Sequence, residues 1–275
     1  MVVLKTVAAN QPVVLVTGAS SGIGQRCAAL LARKGYRVYG ASRSAVSEGS
    51  VVPLKMDVTV DQSVREACDS IFEREGHLDV LINSAGMGIA GALEDTSPQE
   101  AREQFDVNLF GVLRVCRATL PMMRQQRSGY IVNIGSIGGL VAIPYQGAYS
   151  ASKFALEGMT ECLRMEVKPF GIRVVLIEPG DHRTGFTKNR RMTQDSSQNP
   201  TYRVACTRAI QRMAADETMG SHPENVARLV HRVIQIPSPR LRYSAGPCSQ
   251  RAAAWLKRFA PNALVEKIVS TYYSR

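Results

Sequence analysis

The chain has 275 residues, a formal net charge of +11, 45% hydrophobic residues and 21% charged residues. That length buries a full core and that balance is globular, which sets a disordered chain aside. No apolar run approaches the ~20 residues of a membrane span, and MVVLKTVAAN at the start lacks the apolar region and cleavage site of a signal peptide.

The charge is uneven. Residues 1–182 hold 18 basic and 18 acidic side chains, whereas residues 183–275 hold 16 and 5, so the last third carries the whole excess. Such a surface either draws an anionic partner or is simply solvated. Its basic residues are spread out, with no dense run and no interleaved aromatics, which argues against nucleic acid. The six cysteines form no C-x-x-C pair and read as small, reduced core residues of a cytoplasmic protein. His77, His182, His222 and His231 show no ligand spacing, so no metal site is expected.

In chain order, strand and helix patterns alternate. PVVLVTG is an apolar strand, and SGIGQRCAALLARKG a helix closed by Gly35. YRVYGAS and SVVPLKMDV are the second and third strands. Thr59 and Gln62 have the spacing of a capping box before a helix with Val64, Ala67, Cys68, Ile71 and Phe72 on one side. LDVLINSAG is a fourth strand. Ser97, Pro98 and Glu100 open a long helix. GYIVNIGS, GIRVVLIEPG and LRYSAG complete seven strands. Between the last two lie an irregular stretch at 181–220 and a helix at SHPENVARLVHRVIQ. The tail after residue 245 reads as two amphipathic helices broken at Pro261. Near-continuous apolar strands alternating with helices predict a three-layer, doubly wound Rossmann-type α/β fold. Its parallel sheet is covered on both faces. The chain reads as one domain: a core at 12–245, a substrate lobe at 181–220 and a helical extension at 246–275.

TGASSGIG, residues 17–24, joins the first strand to the first helix. Gly18, Gly22 and Gly24 permit a tight turn, and the helix N-terminus offers N–H groups to a pyrophosphate. Ser20, Ser21 and Ile23 belong to the same cradle. The second strand ends in Ser42, Arg43 and Ser44, with no carboxylate. An acidic residue there serves a ribose hydroxyl and an arginine a 2′-phosphate, so NADP(H) is expected over NAD(H). Tyr149 and Lys153 stand four apart, one helical turn, in AYSASKFALE. An ammonium beside a phenol favours the phenolate, so Lys153 is expected to draw the Tyr149 pKa down.

TGASSGIG, NSAG at 83–86, VN at 107–108, GS at 135–136, YSASK at 149–153 and EPG at 178–180 occur in this order. Together they resemble the short-chain dehydrogenase/reductase family, across roughly residues 12–245. The resemblance implies a general acid/base at Tyr149, with Lys153 holding the nicotinamide ribose. It implies that Ser136 binds the substrate oxygen and that Asn108 anchors a water in a proton relay. It also implies adenine contacts at Asp57 and Val58, an adenosine wall at Asn83, Ala85 and Gly86, and a nicotinamide border at Pro179, Gly180 and Thr184. Ser84 departs from the family, which usually has a second asparagine there.

Met87, Gly88, Ile89, Ile137, Leu140, Val141, Ala142, Ile143 and Tyr145 are candidate substrate walls, all apolar or aromatic except Gly88. They suit a hydrophobic ketone or alcohol such as a steroid, a retinoid or a long-chain lipid. The tail is similar to that of hydroxysteroid and retinol dehydrogenase-like members, where it packs near the cleft. Two other readings stand: a 3-oxoacyl-thioester reductase whose basic third docks an acidic carrier, and a non-catalytic NADP-binding interaction protein. Trp255, Leu256, Phe259, Leu264, Val265 and Ile268 are expected to pack on the core or on a second subunit rather than on a membrane. The family resemblance implies a homodimer or homotetramer through helices near 101–125 and 149–169.

Overall fold

β1 (Val13–Thr17) is buried along its whole length. Val13 and Leu15 face one apolar cluster, Val14 and Val16 the other, which is the period of two expected of a strand. A strand apolar on both sides needs cover on both sides. The computed structural model, which describes residues 11–45, 48–257 and 259–274, supplies it. The reading of residues 1–10 lies outside the described residues.

β2 (Arg37–Ser42) and β3 (Val52–Lys55) extend the sheet from one edge of β1. β4 (Val80–Asn83), β6 (Gly129–Ile134), β7 (Ile172–Pro179) and β9 (Arg242–Ala245) extend it from the other. The order is β3-β2-β1-β4-β6-β7-β9, seven strands and every pairing parallel. β5 (Ile89–Ala90) and β8 (Arg191–Met192) form a separate pair.

α1 (Gly22–Arg33) and α8 (Glu224–Val233) cover one face. α2 (Asp61–Glu75), α4 (Gly111–Gln126) and α5 (Gly147–Val167) cover the other. α3 (Pro98–Phe105) runs into α4 through a wider π-type turn at 106–110. Its start is the expected capping box: Ser97 Oγ accepts from Glu100 N, and the Glu100 carboxylate accepts from Ser97 N. The chain leaves β1 towards β2 and β3, then returns beside β1 as β4. This reversal opens a crevice at the carboxyl ends of β1 and β4, where open α/β sheets bind ligands.

Four expectations change. Thr59 does not cap α2, whose N-cap is Val60, because both its N–H and its hydroxyl are spent on Asp57 Oδ1. The 181–220 stretch is less irregular than expected: it holds the short α6 (Phe186–Asn189) and the 17-residue α7 (Arg203–Met219). α7 buries only Cys206, Ala209 and Met213, a stripe too narrow to stand out in sequence. Of the cysteines, Cys27, Cys68, Cys116 and Cys206 are buried but Cys162 and Cys248 are exposed; all are free thiols. The tail does form two helices, α9 (Cys248–Leu256) and α10 (Asn262–Ser274). Yet Trp255, Leu256, Phe259, Leu264 and Ile268 remain 48–71% exposed, and α10 instead clasps α7 through polar and aromatic contacts. Arg212 lies over the Tyr272 ring at 4.4 Å and donates to its hydroxyl at 2.9 Å, and that hydroxyl donates to Asp216 Oδ2 at 2.7 Å. No helix among the described residues is long and apolar enough to cross a membrane.

Candidate active site

The crevice is first a backbone construction. Thr17 Oγ1, at the end of β1, accepts from Ser84 N at 3.0 Å and Ala85 N at 3.1 Å. These bonds use the backbone of residue 84, so serine serves there as well as asparagine. Gly18 has φ +67°, and a Cβ on it would stand 2.7 Å from Ala85 Cα; Gly22 has φ +59°. A Cβ on Gly24 would stand 2.9 Å from the Gly18 carbonyl carbon. Left-handed backbone and close approach both demand glycine. α1 starts here, with no side-chain cap from Ser21 and no acidic residue in its first turn. Its N–H groups and positive dipole end therefore stay available to an anion.

Gly18, Ser20, Ser21, Gly22, Ile23 and Gly24 line a single cavity of ≈ 910 Å³. At one end stand Ser42, Arg43, Asp57 and Val58, with Ala85 and Gly86 beside them. Ser42 Oγ is buried without a partner. Arg43 is exposed and makes no hydrogen bond or ion pair among the described residues. Burial pushes the Asp57 carboxyl up, but bonds from Thr59 and the charges of Arg43 and Arg114 outweigh it and hold the group below its ordinary value. An unused hydroxyl, an unpaired cation and a helix N-terminus fit a phosphorylated dinucleotide. Ser44 and Asn83, expected in this wall, lie outside it. Ser44 is exposed beyond the strand end. Asn83 turns into the sheet and donates to Asn133 Oδ1 at 2.9 Å.

Further along the cavity Ser136 follows β6 and caps the short turn at 137–139, and Tyr149 and Lys153 project from α5. Tyr149 is 9% and Lys153 7% exposed, so both share one buried face of the helix. Lys153 Nζ donates to Ile134 O at 2.9 Å. The Tyr149 hydroxyl hydrogen-bonds Ser136, and its ring packs against Phe186, centroids 5.6 Å apart. The electrostatics differ from expectation. Burial raises the Tyr149 pKa, the Ser136 bond opposes it, Glu217 and Asp181 raise it further and Arg190 lowers it. Burial also lowers Lys153 to about 8, against the pull of Glu157. Desolvation outweighs any pull of the ammonium on the phenol, so Tyr149 rests as a neutral acid.

Asn108 does not line the cavity. It is 1% exposed, in the π-type turn, and that turn aims its carboxamide at two neighbours. Oδ1 accepts from Met87 N at 2.9 Å, while Nδ2 donates to Met87 O and Ser152 Oγ, each at 3.1 Å. Ser152 Oγ donates to Tyr149 O at 2.7 Å. The amide bonds protein groups that hold the Tyr149 turn, so Asn108 acts on Tyr149 through Ser152. Gln104, unremarked in the sequence, does similar work: fully buried, it bonds Ile89 N and Met87 O, each at 2.7 Å.

Pro179, Gly180 and Thr184 continue the wall. Of the expected apolar wall, Met87, Gly88, Ile137, Val141 and Ile143 line the cavity, whereas Ile89, Leu140, Ala142 and Tyr145 do not. The expected substrate lobe and tail supply the rest of the wall, through side chains the sequence did not place there: Phe186 from α6, Met213 and Glu217 from α7, Gln250 from α9, and Ile268, Tyr272 and Tyr273 from α10. The wall therefore includes carboxylates as well as apolar groups. No motif announces them, because they meet only when distant helices pack.

Comparison with known proteins agrees with this geometry. The short chain dehydrogenase family matches residues 12–195, and the chain belongs to that family. It is 43% identical to a 3-ketodihydrosphingosine reductase of Bacteroides thetaiotaomicron, over 95% of this chain and 98% of the relative. It is 34% identical to human 17-beta-hydroxysteroid dehydrogenase type 1, over 84% and 76%. A short-chain dehydrogenase structure from Streptomyces avermitilis superposes with a TM-score of 0.81, at 32% identity over 95% of this chain and 98% of that one. The chain is an oxidoreductase of this family.

Proposed function

We propose that the protein is an NADP(H)-dependent carbonyl reductase of a long-chain lipid ketone, of the 3-ketodihydrosphingosine kind named for the Bacteroides relative. One observation carries this reading. The Ser136–Tyr149 hydroxyl pair stands in the wall of a single cavity that runs from the glycine cradle to the apolar side chains of α10.

Bound NADPH supplies the hydride that the carbonyl carbon accepts. Ser136 Oγ donates to the carbonyl oxygen and holds its developing charge. Tyr149 gives that oxygen its proton, and a phenol whose pKa burial has raised begins in the required neutral form. Lys153 would hold the nicotinamide ribose, and its ammonium would stabilise the tyrosinate until a proton from solvent restores the phenol. Asn108 holds the turn on which Tyr149 sits, through Ser152. Arg43 and Ser42 receive the 2′-phosphate, which favours NADPH over NADH. Asp57 and Val58 receive the adenine.

In this reading the chain is one domain, with residues 181–220 as the lobe over the substrate and 246–275 as an extension that narrows the entrance. Exposed Phe110 and Leu113 at the start of α4, with Phe154 and Met165 on α5, support self-association through these helices. Light scattering should then give twice or four times the chain mass. The basic last third favours one competing reading, a thioester reductase that docks an acidic carrier. It requires carrier-linked substrate to react faster than free thioester, with the gain lost at high salt. Steady-state NADPH oxidation across long-chain keto lipids, steroids, retinoids, thioesters and sugars decides: turnover confined to small polar sugars overturns the proposal.

A further inference from the structure

A long apolar ketone leaves one part of the cavity wall unused. Asp181 follows β7 and lines the cavity. Its N–H donates to Gln250 Oε1 at 2.8 Å, and its Oδ2 accepts from Gln250 Nε2. Its Oδ1 accepts no hydrogen bond and meets no cation among the described residues. Arg190, the nearby cation, is paired with Glu217. Burial pushes the Asp181 carboxyl up to about 6; Gln250 and, more weakly, the Arg190 charge oppose this, and Glu217 and Asp216 add to it.

The next residue, His182, also lines the cavity and is 4% exposed. Its Nδ1 lies 2.9 Å from Gly180 O, a group that only accepts, so Nδ1 carries the proton. Burial lowers its pKa and keeps the ring neutral, which makes Nε2 an acceptor. That Nε2 is buried with no partner. Two adjacent residues thus hold unused acceptors. A carboxylate against an apolar cavity is costly unless paired. A neutral steroid or retinoid would leave it unpaired, whereas a cationic substrate would not. The Gln250 bonds already tie α9 to this loop, so anchoring the tail does not account for Oδ1.

We infer that Asp181 and His182 form a subsite for an amino alcohol: Asp181 Oδ1 takes a protonated amine next to the ketone, and His182 Nε2 takes the neighbouring hydroxyl. The inference rests on the proposed reduction of a long-chain ketone and narrows its substrate to a 2-amino-1-hydroxy-3-ketone. Asp181 and His182 line the same cavity as Ser136 and Tyr149, so one bound ketone can meet both pairs.

The test compares 3-ketodihydrosphingosine with its analogue bearing hydrogen in place of the amine. A charge-assisted hydrogen bond predicts that wild-type kcat/KM favours the amine by ~10–100-fold. In Asp181→Asn that ratio should collapse towards one. A circular-dichroism melt and NADPH fluorescence establish that the variant folds and binds cofactor. Equal wild-type rates on both ketones overturn the subsite while leaving the reductase reading intact. Turnover of neither ketone overturns the reductase reading instead. In that case binding of dihydrosphingosine against its desamino analogue, to wild-type protein with NADP, decides the subsite: equal affinity overturns it, and ~10-fold or greater preference for the amine upholds it.

Discussion

The two halves of the cavity are built by different means. From Gly18 to Gly180 the wall comes mostly from strand ends and the turns after them, and the parallel sheet holds these in register. From Asp181 to Tyr273 it comes from α6, α7, α9 and α10, of which α10 packs on α7 and α9 on the turn at 137–139. The first half is charge-balanced and its backbone is fixed by glycine and by Thr17. The second is strongly basic and keeps Trp255, Phe259 and Met219 more than 60% exposed. Chemistry shared across a family tolerates no movement and sits on the rigid half. In the proposed reading substrate choice sits on the half built from helices beyond the sheet.

Breaking the rigid half should have the largest effect. Tyr149→Phe should lower kcat by about 10³-fold or more with NADPH affinity intact, since positioned acid–base groups contribute about 10²–10⁴-fold. Stopped-flow hydride transfer and nucleotide fluorescence read the two separately. An unchanged kcat would support the non-catalytic reading of the chain. Next comes cofactor choice: Arg43→Ala should raise KM for NADPH about tenfold and leave KM for NADH nearly unchanged, the loss of one exposed charge-assisted contact. Loss with both nucleotides alike would mean that Arg43 does not read the 2′-phosphate. On the helical half, ending the chain at Gly246 removes Gln250, Ile268 and Tyr273 from the wall. KM for long-chain ketones should rise several-fold while short ketones react as before; equal losses on both would make the tail a support of the fold, not of the substrate site.

The smallest effect concerns the joint between the halves. Arg242 of β9 donates to Glu157 of α5 at 2.9 Å and pairs with Glu161 and Glu178. Burial, then the Glu178 charge, raises Glu157 to about 7, while Arg242 opposes them. A carboxyl raised above its unfolded value stabilises the fold fully below pH ~4.5, and that contribution is lost as pH rises through ~7. Relative to Glu157→Gln, wild-type stability should therefore decline by up to about 3 kcal/mol over that window. Urea melts at pH 4.5, 6 and 8 measure it, and parallel pH profiles would contradict the assignment.

How much of this was legible in the sequence follows the same division. Gly18, Gly22 and Gly24 announce the cradle because left-handed backbone and close approach are demands on single residues. The alternating faces of β1 and the Ser97–Glu100 cap are likewise local, and both appear as expected. Competition for partners is not local. Thr59 has the spacing of a cap, but Asp57 claims it. Asn83 and Asn108 lie in the family's motifs, yet Asn133 in one case, and Met87 and Ser152 in the other, take their amides. The pull of Lys153 on Tyr149 follows from four-residue spacing, but burial, which spacing does not contain, reverses its outcome.

The amino-acid order by itself determined the seven-stranded doubly wound sheet, the glycine cradle and the Ser136, Tyr149 and Lys153 positions. Each is set by backbone geometry or periodicity within a few residues. Only the tertiary structure decided which carboxylates line the cavity, which amides are already occupied and which side chains of the tail remain in water. Those outcomes depend on desolvation and on contacts between groups such as Asp181 and Gln250, far apart along the chain and joined only by packing.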